Sequence, residues 1–86
     1  MPEISRFLGI IIFMNFNEHN PPHFHIRYNE FLASIEIKTL GLIDGKLPAK
    51  VHGLVVEWAE KNQIALQENW DSMRVTGKFK KIDPLV

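Results

Sequence analysis

The stretch HFHIRYNEFLASIEIK, residues 23–38, constrains this chain's fold more than any other. Two runs of alternating apolar and polar residues flank a dipeptide suited to a turn. In the first run Phe24, Ile26 and Tyr28 point one way, and His23, His25 and Arg27 the other. Asn29-Glu30 fits a two-residue hairpin turn, because Asn tolerates left-handed backbone. The second run then returns with Phe31, Ala33, Ile35 and Ile37 facing inward. Such a turn sets the register: Tyr28 opposite Phe31, Ile26 opposite Ala33, and Phe24 opposite Ile35. On the other face it sets Arg27 beside Leu32, His25 beside Ser34, and His23 beside Glu36. A slip of one residue would send the apolar face into water, so the pairing is strongly specified.

The remaining segments extend this hairpin into an α+β fold. MPEISRFLG reads as a lead-in that joins the body through Ile4 and Phe7. Gly9 to Asn17, β-branched and aromatic, predicts a strand with Ile10, Ile12, Met14 and Phe16 on one face and Ile11, Phe13, Asn15 and Asn17 on the other. Glu18 to Pro22 is a loop stiffened by Pro21-Pro22. Thr39 to Leu47 is a turn region with room for a short strand at Leu42-Ile43, which Asp44-Gly45 would end. Pro48 suits a helix start. Val51, Leu54, Val55, Trp58 and Ala59 then repeat at helical spacing. Asn62 is placed to interrupt that helix and cap a second, about Gln63 to Met73, which turns Leu66, Trp70 and Met73 inward. The expectation is an antiparallel sheet of three to four strands with two C-terminal helices on its apolar face, followed by a loosely attached tail. His23, His25 and Arg27 then lie on the open face.

At 86 residues the chain has room for one domain, 1–86, and with 45% hydrophobic residues it can form a core. Burial at this size is marginal, so a small partner protein or a homo-oligomer would add stability. Ten basic residues balance ten acidic ones, which argues against binding that depends mainly on neutralising nucleic-acid phosphates. The tail lysines Lys78, Lys80 and Lys81 form a local cluster that reads as a solvated end. The absence of cysteine excludes disulfide scaffolds, thiolate zinc sites and cysteine nucleophiles. The apolar run Leu8 to Met14 is too short to span a bilayer and lacks a signal-peptide layout, so no membrane role and a cytoplasmic location are expected.

The chemistry concentrates in HNPPHFH, residues 19–25, which holds three of the four histidines. His23 and His25 share one side of a strand, within reach of one ion. Glu36 across the ladder, or His19 from the loop, could complete a set for zinc or a similar divalent transition metal. Without metal, His23 and His25 beside Arg27 have the residue types for acid–base cleavage of RNA, with the arginine stabilising the charged phosphorane. The bland reading is a polar sheet face with a His23–Glu36 cross-strand pair. That face could also dock a partner through Phe13, Leu32 and the histidines. His52 falls outside the apolar helix stripe and reads as solvent-facing, while Trp58 and Trp70 read as packing.

Five segments fall in order: ISRFLGIII (Ile4–Ile12), HNPPHFHIRY (His19–Tyr28), GKLP (Gly45–Pro48), VVEWAE (Val55–Glu60) and LQENW (Leu66–Trp70). Together they resemble a family of small bacterial proteins catalogued as a domain of unknown function, number 4160. The resemblance marks His19, Pro21, Pro22, His23, Phe24, His25, Glu30, Trp58 and Trp70. Many relatives read Gly-Glu where this chain has Asn29-Glu30. The family carries no activity to transfer. Its members look like genomic neighbours of another small family, which implies an interaction module forming one half of a toxin–antitoxin pair. A small histidine-dependent hydrolase, ribonuclease-like and with or without a divalent metal, is the alternative.

Overall fold

The computed structural model describes residues 2–86. Five strands, β1 (Glu3–Phe7), β2 (Ile10–Phe13), β3 (His23–Tyr28), β4 (Phe31–Glu36) and β5 (Leu42–Gly45), precede two helices, α1 (Ala49–Glu60) and α2 (Gln63–Val75). The strands form one antiparallel sheet in the order β1-β2-β3-β4-β5, so each new strand pairs with the one before it. The β3–β4 register is the one the hairpin turn dictates, from Tyr28↔Phe31 to His23↔Glu36. Asn29 takes the left-handed backbone that turn needs, at φ 53°.

The sheet has five strands rather than three to four, because the lead-in is itself a strand. Leu8 and Gly9 both adopt positive φ, 51° and 78°, and fold Glu3–Phe7 back onto β2. An irregularity between Glu3 and Ser5 breaks the pairing register, so Ile4, Ser5 and Phe7 are all buried. That bulge erases the period of two by which β1 would be read from sequence. β2 is shorter than the expected Gly9–Asn17 strand. It stops at Phe13; Met14 stays in the core with its amide on the Pro2 carbonyl (3.2 Å). Asn17 turns the chain at φ 59°, which leaves Phe16 exposed rather than packed inward.

One apolar cluster joins Ile4, Ile10, Ile12, Phe24, Ile26 and Ile35 of the sheet with Val55, Trp58, Leu66 and Trp70 of the helices. Trp58 lies 5.8 Å from Phe7 and 6.1 Å from Phe24, ring centre to ring centre. Asn62 does not cap α2 with its side chain; its amide instead donates to the Trp58 carbonyl at 2.7 Å. Gln63 donates to the Ile37 carbonyl at 2.8 Å, tying the start of α2 to the end of β4. His52 is half-buried rather than solvent-facing.

The tail is docked, not loose. The Asn69 side chain brackets Lys80, accepting from its amide and donating to its carbonyl, both at 2.8 Å. The Ile82 amide donates to the Ile4 carbonyl (2.9 Å), occupying part of the outer edge of β1. The Trp58 indole N–H donates to the Asp83 carbonyl (2.8 Å). Among the described residues no helix is long and apolar enough to cross a membrane.

Candidate metal centre

β3 raises His23 and His25 on one face because strand side chains alternate. The β2–β3 loop then brings a third group to the same place. Glu18 lies 2.5 Å from His25 Nε2 through Oε1, and 3.7 Å from His23 Nε2 through Oε2. Asn15 Nδ2 donates to the same Oε1 at 3.0 Å, so the carboxylate is fixed from behind as well. Ligand atoms of Glu18, His23 and His25 all lie within 4.8 Å of one another.

The outer ring nitrogens are also engaged. His23 Nδ1 lies 2.8 Å from the Pro21 carbonyl. A carbonyl only accepts, so Nδ1 carries a proton and Nε2 is the ring nitrogen turned toward Glu18. His25 Nδ1 lies 3.0 Å from Ser34 Oγ, on the neighbouring strand at the register position opposite His25. Ser34 can donate to or accept from that nitrogen, so His25 suits either state. With a proton on Nε2 it donates to Glu18; with the proton on Nδ1 its Nε2 is free to ligate.

Packing holds these rings still. Phe13, the β2 partner of His25, is buried and stacks on the imidazole at 5.1 Å and 16°. Trp70 of α2 packs against His23 with ring centres 5.2 Å apart. The Arg74 guanidinium sits 5.7 Å over the Trp70 ring, and its Nη1 donates to Asn20 Oδ1 at 3.3 Å. α2 therefore grips both the loop that carries Glu18 and the strand start that carries His23.

Burial pushes the Glu18 carboxyl upward. The hydrogen bonds from His25 and Asn15, with the charges of His25 and His23, outweigh that and leave it below its ordinary value. The carboxylate is thus favoured as an anion, the form that binds a cation.

Of the residues singled out from sequence, His23 and His25 converge as two members of this group. Glu36 sits opposite His23 in the ladder and His19 is exposed; neither joins the group found among the described residues. Arg27 is exposed on the same face, two positions beyond His25. The residue that sequence reasoning missed is Glu18. Its signal was a carboxylate at the base of a short proline-stiffened loop, since a loop that returns onto its own strand lays its first residues over the strand's start.

No curated protein and no solved structure matches this chain. A family model does match, over residues 9–71, and that span contains Glu18, both site histidines and the Trp70 that packs against His23. The chain belongs to the family described as Domain of unknown function (DUF4160).

Proposed function

We propose that Glu18, His23 and His25 hold a divalent transition metal, zinc or a similar ion, and that the centre activates water for hydrolysis. One observation carries this reading: two imidazole Nε2 atoms converge on one carboxylate while both Nδ1 atoms are engaged by other groups. Metal-ligating histidines characteristically have their second nitrogen held in this way, which fixes tautomer and ring orientation. Ligand bonds of about 2.1 Å in a tetrahedral set need ligand atoms about 3.4 Å apart. The Glu18–His25 contact would widen from 2.5 Å and the Glu18–His23 contact close slightly from 3.7 Å. Three protein ligands leave a position for water, the pattern of catalytic rather than structural sites, and such a water loses its proton near pH ~7. Glu18 takes the ligand role that sequence reading gave to Glu36 or His19.

The test is elemental analysis of the purified, untagged chain beside a His23→Ala/His25→Ala double variant. About one equivalent of transition metal, lost in the variant, is expected. A wild-type chain that holds none and takes up none on titration refutes the proposal.

A second reading is a protein-interaction module, one half of a toxin–antitoxin pair, and a separate observation favours it. β5 is exposed along its whole length, and Leu42, Ile43 and nearby Leu32 are about half exposed. An edge strand with apolar neighbours suits addition of a partner's strand. Co-expression with the adjacent gene product, followed by loss of the complex on Ile43→Lys, would support it.

A further inference from the structure

We infer that the substrate class of this centre is a phosphodiester, with Arg27 receiving its phosphoryl oxygens; the inference rests on the metal reading above. Arg27 shares a strand and a face with His23 and His25. It stands two residues beyond His25, about 7 Å along the strand. Its ladder neighbours are Ile11 on β2 and Leu32 on β4. Neither can pair with a guanidinium, and no acidic group among the described residues forms an ion pair with it. Arg6 stands in the same row beyond Ile11, but its charge is taken by Glu3 at 2.7 Å. Of the two arginines in that row, Arg27 is the one left to meet a ligand.

The carboxylates of this face narrow the geometry. Glu36 is opposite His23 on β4, and Asp44 is opposite Ser34 on β5. Both would repel an anion arriving over the β4–β5 side. Arg74, held over Trp70 against Asn20, adds a positive charge on the α2 side of the centre. Glu3, opposite Phe13 on β1, has its charge taken up by Arg6 and Lys81, so an anionic group is steered toward β3, where His23, His25 and Arg27 stand in line.

A phosphodiester suits that line. It carries its charge before reaction and has two non-bridging oxygens, one for the metal and one for the guanidinium fork. A carboxylic ester or amide brings no ground-state charge and would leave Arg27 without a partner. In the reaction, water on the metal loses a proton to solvent and the hydroxide attacks phosphorus. The P–O bond to the leaving alkoxide breaks, and the alkoxide takes up a proton. One water is consumed, giving a phosphomonoester and an alcohol with no change of oxidation state. The chain's zero net charge does not oppose this, because one phosphate is bound by local charge rather than by counterion release along a polymer.

The experiment uses the full chain loaded with Co(II), comparing wild type with Arg27→Ala and Arg27→Lys. Inorganic phosphate and dimethyl phosphate are titrated against the visible absorption of the cobalt, and bis(p-nitrophenyl) phosphate serves as the reacting probe. Expected are equal cobalt stoichiometry in all three proteins and a perturbation by dimethyl phosphate that needs at least tenfold more ligand in Arg27→Ala. Diester cleavage should fall at least tenfold in kcat/KM and be partly restored in Arg27→Lys. Three results overturn the inference while leaving the metal reading intact: Arg27→Ala behaves as wild type, only inorganic phosphate perturbs the cobalt, or the loaded chain cleaves p-nitrophenyl acetate but not the diester. A chain that takes up no cobalt overturns both.

Discussion

Replacing Glu18 with Gln keeps the side chain's shape and removes its charge, and metal-dependent stability should report the change directly. A ligand that binds only the folded state stabilises it by RT ln(1 + [L]/Kd), about 2.7 kcal/mol at a free concentration of about 100 Kd. A domain of this size moves about 4–8 °C in Tm per kcal/mol, so saturating zinc should raise the wild-type Tm by about 11–22 °C. Losing a supporting group around a metal commonly weakens binding 10–100-fold, and losing a charged ligand should cost at least about 100-fold. The same zinc concentration then lies near the variant's Kd. Its stabilisation falls to about 0.4 kcal/mol, about 2–3 °C. Without metal the variant should also be weaker by about 1 kcal/mol. It loses a charge-assisted hydrogen bond to His25, discounted here because the Glu18 side chain is 24% exposed. Differential scanning fluorimetry with and without zinc measures both effects. His19→Ala, at an exposed position outside the group, should keep the full shift. Equal shifts in Glu18→Gln and wild type, or no wild-type shift with zinc, cobalt, nickel or manganese, would refute the reasoning.

Acid should weaken the metal-free protein through the same carboxylate. Glu18 is held below its ordinary value of 4.5 when folded, so the unfolded chain binds the more protons as pH falls. The stability Glu18 contributes is present above that ordinary value and is lost as pH drops through the depressed one. Denaturant midpoints from about pH 3 to about pH 7 should show a shallower acid slope in Glu18→Gln, and an unchanged slope would count against the assignment. Trp70 lies 5.2 Å from His23, so Ni(II) or Co(II) at the centre should quench part of the tryptophan fluorescence and leave Trp58. Trp70→Phe should abolish most of that quenching, and its persistence would place the ion elsewhere. At Gly45, with φ 76°, an added Cβ would fall 2.0 Å from the Leu32 carbonyl oxygen. Gly45→Ala should cost about 1–3 kcal/mol in urea unfolding, and a neutral result would mean β5 is not held as described.

The hairpin of β3 and β4 was legible because its signals are local. Alternation, an Asn able to take positive φ, and the two-residue spacing all point to one register, and the register sets His23 and His25 on one face with Ser34 beside the latter. The helices were legible for a similar reason, since Val51, Val55, Trp58 and Ala59 keep helical spacing whatever they pack against. β1 was not legible. A bulge destroys its alternation, and its hairpin rests on a positive-φ Leu8 that no propensity favours. The docking of the tail was hidden as well, because Asn69, eleven residues before Lys80 in the chain, looks like any exposed helix residue until the two segments meet.

The same division runs through the candidate centre. Sequence by itself determined that two imidazoles leave the sheet together, because strand geometry is a property of neighbours along the chain. It could not determine the third group. Glu36 across the ladder and His19 from the loop were the groups the strand pattern offered, and Glu18 was not among them. Tertiary structure brings Glu18 to the two imidazoles through contacts both local and distant in sequence. Asn15 holds the carboxylate from one side, and Trp70 and Arg74, some 50 residues on, press the loop and the His23 ring into place. Where a loop's end comes to rest depends on what packs over it, and that is settled only when the helix closes on the sheet.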